Sequence, residues 1–178
     1  HGDDRRQRQM CIRDRPSLYS ELEGAALKNI VSCLSNVKYL NHIIIGLDKA
    51  DKSEFIKAKK FFSNLNQPHS VIWNDSPKMK KLNSDFKNLG IAPNQSGKGK
   101  NVWYCLGYTY SRNEAGSVAL HDCDITTYNR ELLARLVYPV SNPHFNYEFC
   151  KGYYPRIREG TLSGRVTRLL VTPLLKTF

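Results

Sequence analysis

The chain has 178 residues, 40% hydrophobic and 24% charged, the balance of one ordinary globular domain rather than a disordered polymer. Lys and Arg outnumber Asp and Glu by 27 to 16, and the net charge of +11 favours polyanionic partners: nucleic acid, phosphorylated metabolites or an anionic membrane surface. No apolar run approaches the roughly 18–20 residues that span a bilayer, and the first residues lack the apolar core of a secretory signal. Five scattered cysteines without a C-x-x-C pair argue for reduced thiols, not a disulfide frame or a zinc site. The sequence reads as a soluble, cytoplasmic protein.

In chain order, residues 21–38 place Leu22, Ala26, Ile30, Leu34 and Val37 on one helical face. HIIIGL (42–47) reads as a buried strand. SEFIKAKKFFSNL (53–65) forms a second amphipathic helix, with Phe55, Ala58, Phe62 and Leu65 on one side, and HSVIW (69–73) the next strand. Residues 74–97 are rich in Asn, Ser, Pro, Gly and Lys and read as a long loop, with a helical turn or two around PKMKKLNSDFKNLG. A helix over 99–112, a strand SVALH (117–121) and a helix NRELLARLVYPV (129–140) follow. FNYEFCKGYY (145–154) alternates like a strand. SGRVTRLLVTPLLKTF (163–178) looks helical, with Pro173 a kink or a stop. This alternation predicts an α/β fold with a mainly parallel sheet, whose ligands bind outside the carboxyl ends of the strands.

Asp122 and Asp124 stand at such an end. Residues i and i+2 of an extended chain share a side, so both carboxylates can aim at one spot while Cys123 turns away. Two close carboxylates repel unless a cation sits near them, and hard oxygen ligands suit Mg²⁺ or Mn²⁺ completed by substrate phosphates. The competing explanation is that strand-end aspartates cap a turn or the next helix. His121 has no partner spacing and reads as a packed residue. QSGKGKNVW (95–103) sets Gly97 and Gly99 around Lys98 just before a helix, where backbone N–H groups and a lysine suit a phosphate. It lacks the Walker A pattern, and a solvated turn is the commoner reading. In LSGRVTRLL (162–170), Ser163 or Gly164 opens a helix. Arg165 and Thr167 then sit in its first turn, where an arginine opposes the helix dipole unless an anion is bound.

Taken in order, PSLYSE (16–21), the strand ending at Asp48, GKG (97–99), DCD (122–124), CKGYYPR (150–156) and GRVTRLLVTPLL (164–175) resemble the glucosyl-3-phosphoglycerate synthases. That family comprises retaining glycosyltransferases. The resemblance implies a GT-A (Rossmann-like) nucleotide-sugar-binding domain over residues 16–178, truncated at its C-terminus. Residues 1–15 are set apart as foreign to the domain or disordered, because the family places an apolar strand directly before the proline.

By the same resemblance, Pro16, Ser17, Leu18 and Glu21 would hold the base and ribose of the nucleotide sugar, with Asp48, Lys98 and Asp122 completing its site. Asp124 is favoured over Asp122 as the direct ligand of Mg²⁺ or Mn²⁺. Gly164, Arg165, Val166 and Thr167 would receive the phosphate and carboxylate of 3-phosphoglycerate. The implied reaction moves glucose from UDP-glucose or GDP-glucose to 3-phosphoglycerate, with no catalytic group assigned, no nucleic acid and no membrane involved, and a homodimer left open. The turn after the second strand, often D-S-G-S-T-D in the family, is Asp48-Lys49-Ala50-Asp51 here. Alternatives within the fold are a GDP-mannose donor with a glycerate-type acceptor, or an inactive nucleotide-sugar-binding fragment. Outside it stands a basic nucleic-acid-binding module stacking bases on Trp103, Tyr104, Tyr108 and Tyr110.

Overall fold

A computed structural model of the chain describes residues 8–13, 21–92, 97–152, 156–158, 161–163 and 173–174. Four parallel strands form its sheet: β1 (Arg8–Arg13), β2 (His42–Leu47), β3 (His69–Trp73) and β4 (Ser117–Asp122), in the order β3-β2-β1-β4. The helices between them are α1 (Ala25–Ser35), α2 (Lys52–Phe62), α3 (Pro77–Asn88) and α4 (Lys98–Arg112), and α5 (Arg130–Ser141) follows β4. A short antiparallel pair, β5 (Arg156–Arg158) with β6 (Thr161–Ser163), stands apart from the sheet. The α/β architecture with a parallel sheet is the one the sequence predicts. No helix among the described residues is long and apolar enough to cross a membrane.

The apolar run of β2 buries both of its faces, as a central parallel strand must. Ile43, Ile45 and Leu47 join the main core with Leu27, Ile30 and Leu34 of α1, Ala58 and Phe62 of α2, and Leu133 and Val137 of α5. Ile44 turns to the opposite face and packs with Cys105 of α4, beside Ile72, Tyr108 and Val118. On that second face, buried His42 is hydrogen-bonded through Nε2 to Ser70 Oγ (2.9 Å), which meets Tyr108 OH at 3.0 Å. Burial, then the charge of Arg112, holds His42 below the ordinary histidine value.

Gly46 sets how close α4 comes to the sheet. A Cβ there would lie 1.7 Å from Asn101 Oδ1 and 2.8 Å from Cys105 Sγ, so only glycine admits the helix at this point. Asn101 Nδ2 then donates to Gly46 C=O (3.0 Å).

The order of the strands carries a topological consequence. From β1 the chain steps outward to β2 and β3, then returns through α3 and α4 to place β4 on the other side of β1. The carboxyl edge between β1 and β4 is therefore the switch point at which open α/β sheets bind ligands. Arg13 and Asp122 are paired in register at that edge. Arg8–Arg13 lie inside the segment that the sequence sets apart, yet their backbone pairs with β2 and β4 and joins the two halves of the sheet.

Three sequence expectations are corrected. The long loop over 74–97 contains α3, three turns long: Ser76 caps it through Met79 N–H, Pro77 takes the first helical turn, and Gly90 at φ 70° closes it. Residues 145–152 form no strand. Phe145, Tyr147 and Phe149 alternate but are 43%, 61% and 79% exposed, and Phe145 packs edge-on against Tyr138 of α5 instead. Of the two residues read as helix openers, Ser163 closes β6, and Gly164 lies outside the described residues. The expected last helix otherwise lies outside the described residues, apart from a helical Pro173 and Leu174.

Replacing Gly46 by alanine should destabilise the chain by about 3 kcal/mol, the upper end for overpacking a core, as measured by denaturant unfolding. Unchanged stability would mean that α4 does not rest on β2 at this residue.

Candidate functional site at the carboxyl edge of the sheet

Strand β4 ends at Asp122, and the chain turns at once through Cys123 and Asp124. Cys123 is fully buried in the main core, whereas Asp122 and Asp124 are each half-exposed. The alternation expected from the sequence thus carries one residue pair past the end of the strand. His121, on the buried side, stacks edge-on against Tyr128 (5.2 Å) and is driven by burial to a pKa of about 4, so it is neutral.

Lys98 is the first residue of α4, and its Nζ lies 2.7 Å from Asp122 Oδ1. Gly97 before it has φ 123°, a conformation open to glycine, which turns the chain into the helix. Both members of the pair keep over a quarter of their side-chain surface exposed, so the pair itself contributes at most about 1 kcal/mol. Its significance is positional: a cation, the N-terminal end of a helix dipole and a carboxylate meet at the switch point.

One turn along α4, Asn101 connects the same helix to a second cluster. Asp48 follows β2 directly, and its Oδ1 accepts from Asn74 Nδ2 at 2.7 Å. Burial raises the Asp48 carboxyl above its ordinary value, and the charge of Asp75 raises it further, against the amides of Asn74 and Asn101 and the charge of Lys100. Asp75 in turn accepts from Ala50 N–H (3.2 Å), fixing the turn after β2 in which Lys49 takes φ 53°. Tyr104 OH donates to Asn83 Oδ1 (2.7 Å), tying α3 to α4.

The structure therefore brings Lys98 and Asp122 together, leaves Asp124 half-exposed in the turn two residues on, and places Asp48 on the same carboxyl edge, directly after β2. Glu21 precedes the turn ahead of α1, where its C=O accepts from Gly24 N–H (2.9 Å), and none of these contacts reaches it. Pro16, Ser17, Leu18, Gly164, Arg165, Val166 and Thr167 lie outside the described residues. Asn74, Asp75 and Asn101 escaped the sequence analysis; the glycine inside the HIIIGL run was the signal that could have found Asn101. Of the aromatics on α4, Tyr104 is buried, Tyr108 packs on the second core, Trp103 meets Phe86 edge-on, and Tyr110 is 87% exposed. They surround the helix rather than forming one stacking platform.

Because the Asp48 pKa is raised in the folded chain, its ionisation opposes folding. Below the ordinary value of 3.8 the group is protonated whether folded or not, and stability is lost as pH rises through the folded pKa. Asp48→Asn should therefore raise the unfolding midpoint at neutral pH, with the gain vanishing below pH 3.8 in thermal melts. A gain of equal size at all pH values would refute the buried-charge account.

No family model matches the chain, and no solved structure matches it. Among curated proteins it is 47% identical over 161 residues to the glucosyl-3-phosphoglycerate synthase of Persephonella marina, covering 90% of this chain and 40% of that protein. It is 39% identical over 165 residues to the glucosyl-3-phosphoglycerate synthase of Methanococcoides burtonii, covering 91% of this chain and again 40% of the relative. The chain thus spans about 40% of the length of the curated relatives it matches. Along nine-tenths of its own length, this chain is a sequence relative of the glucosyl-3-phosphoglycerate synthases, the family its motifs resemble.

Proposed function

We propose that the chain is the nucleotide-sugar-binding part of a metal-dependent retaining glycosyltransferase that moves glucose from a nucleotide-glucose to 3-phosphoglycerate, giving glucosyl-3-phosphoglycerate. The observation that carries this reading is the Lys98–Asp122 pair at the switch point of the sheet, in a chain 47% identical to a protein of that name.

The carboxylates suit Mg²⁺ or Mn²⁺. Among the described residues no cluster of three or more His, Cys, Asp or Glu side chains forms a closed cage. Mg²⁺ is commonly held by one or two carboxylates, with water and substrate phosphates completing its shell. Asp124, with Asp122, fits that pattern of partial ligation. The bound metal would supply neutralisation of the charge that gathers on the departing diphosphate.

The rest of the work falls to the chain. Lys98, now held by Asp122, can turn to a phosphate oxygen when the donor enters, and the N-terminal end of α4 favours the same anion. Asp48, with its anchor Asn74, offers acceptors to hydroxyl or N–H donors of the nucleoside. Arg165 in the Gly164–Thr167 segment would pair with the acceptor's phosphate. Holding two phosphorylated substrates in one orientation is largely a matter of proximity and fixed charge.

Calorimetric titration of UDP-glucose and GDP-glucose, with and without Mn²⁺, tests this on the chain as it stands, after circular dichroism has shown it folded. Metal-dependent binding of one of the two is expected. Asp124→Asn should abolish the metal dependence, and Lys98→Met should weaken binding about tenfold, some 1.4 kcal/mol. A folded chain that binds neither sugar nucleotide would sink the proposal.

A further inference from the structure

Strand β3 is the outer strand of the sheet, so among the described residues one side of its backbone has no strand beside it. Two hydrogen bonds bracket its ladder with β2: Ile43 N–H donates to Pro68 C=O (2.9 Å), and Asn74 N–H donates to Leu47 C=O (3.0 Å). In a parallel ladder, alternate residues turn both N–H and C=O to the same neighbour. Residues 68, 70, 72 and 74 therefore face β2, and His69, Val71 and Trp73 face outward. Ser76 N–H takes the C=O of Trp73 (3.1 Å), which leaves the outward groups of His69 and Val71 and the N–H of Trp73 as a short hydrogen-bonding edge.

A groove of about 320 Å³ runs along this edge. Its floor is β3 from His69 to Ile72; Phe55 and Lys59 of α2 form one wall, and Tyr108 of α4 the other. An added strand would find a hydrogen-bonding edge between two aromatic walls, one for each of its alternating faces. Natural edge strands are commonly blunted by an internal lysine, a proline or a bulge, and HSVIW carries none of these.

The charges say what the strand should carry. No acidic side chain lines the groove, while exposed Lys59 stands 5.9 Å over the Phe55 ring and His69 forms one end. The nearby acids are engaged: Glu54 closes the capping box of α2 with Asp51, and Glu114 is paired with Arg112 at 2.6 Å. A second copy of this chain would bring a net charge of +11 to the edge, and a symmetric pairing would set two Lys59 side chains near each other.

We propose that the β3 edge is a docking site for an extended acidic segment of another protein, which adds one strand to the sheet and sets its carboxylates against Lys59 and His69. This inference stands independently of the sugar-nucleotide site.

Fluorescence anisotropy with a labelled, end-capped seven-residue peptide of alternating valine and glutamate tests it, with lysine in place of glutamate as the control. Saturable binding of the glutamate peptide is expected, weakening about tenfold between low salt and about 0.5 M salt. Val71→Pro removes only an outward N–H, a change that edge strands tolerate, and Lys59→Glu reverses an exposed charge. Each should lower the peptide's affinity about tenfold or more, with folding of both variants checked by circular dichroism. Should Val71→Pro unfold, Lys59→Glu decides the matter alone. Equal binding of the lysine peptide, wild-type affinity in the folded variants, or self-association through β3 without peptide binding would each overturn the proposal.

Discussion

Helix α4 lies so close to β2 that only a glycine fits between them, and the arrangement of the carboxyl edge depends on that contact. With no side chain at Gly46, Asn101 reaches the strand's carbonyl at 3.0 Å and joins the hydrogen bonds around Asp48. One turn earlier, the same seating sets Lys98 at 2.7 Å from Asp122. Strands β2 and β4 are not neighbours, since β1 lies between them. Two carboxylates that the sheet holds apart are thus connected by one rigid helix on its second face. A shift of that helix would disturb both clusters at once, since cores pack densely and do not deform smoothly.

Within this frame the charges are in partial conflict. Asp48 is half-buried and faces the field of Asp75, against amide hydrogen bonds and the charge of Lys100, so its ionisation works against the stability of the fold. Asp122 is neutralised by a lysine that a phosphate could equally attract. Arrangements that cost stability while presenting charge at a ligand-binding edge are common where function constrains the chain. Here the destabilised carboxylate and the half-exposed ion pair are both in contact with one helix, α4.

Much of this could be read in the sequence, and the gaps have physical reasons. HIIIGL and HSVIW announced β2 and β3 at their observed bounds because apolar, β-branched runs between polar breakers have few other uses. The burial of Cys123 between two half-exposed aspartates was also legible, since the alternation of the strand persists one residue beyond its end. Helix α3 was missed because Ser76 and Pro77 look like loop punctuation, although the same two residues are a helix start when a cap and a first turn are required. FNYEFCKGYY failed in the opposite way. Alternation specifies two faces but supplies no partner strand, and its aromatics stay exposed. Asn74 and Asn101 were invisible because a polar residue acquires meaning only from the backbone that packing brings beside it. Arg8–Arg13, with arginine at both ends and Gln9 within, carry too little apolar character to announce a central strand.

The contrast between the whole chain and its carboxyl edge bears on how ligands would arrive. The molecule carries a charge of +11, yet Asp48, Asp75, Asp122 and Asp124 gather at one edge of its sheet. At long range the positive field draws in phosphorylated anions, within the roughly 8 Å over which salt leaves charges unscreened. At short range the aspartates would repel the same anion unless a cation intervenes. Lys98 pairs with Asp122, and the charge of Lys100 acts on Asp48. An anion attracted by the whole and repelled by the edge is best accommodated when a divalent cation accompanies it. The proposed metal–diphosphate pair would answer both scales at once, its anion meeting the field of the whole and its cation meeting the aspartates.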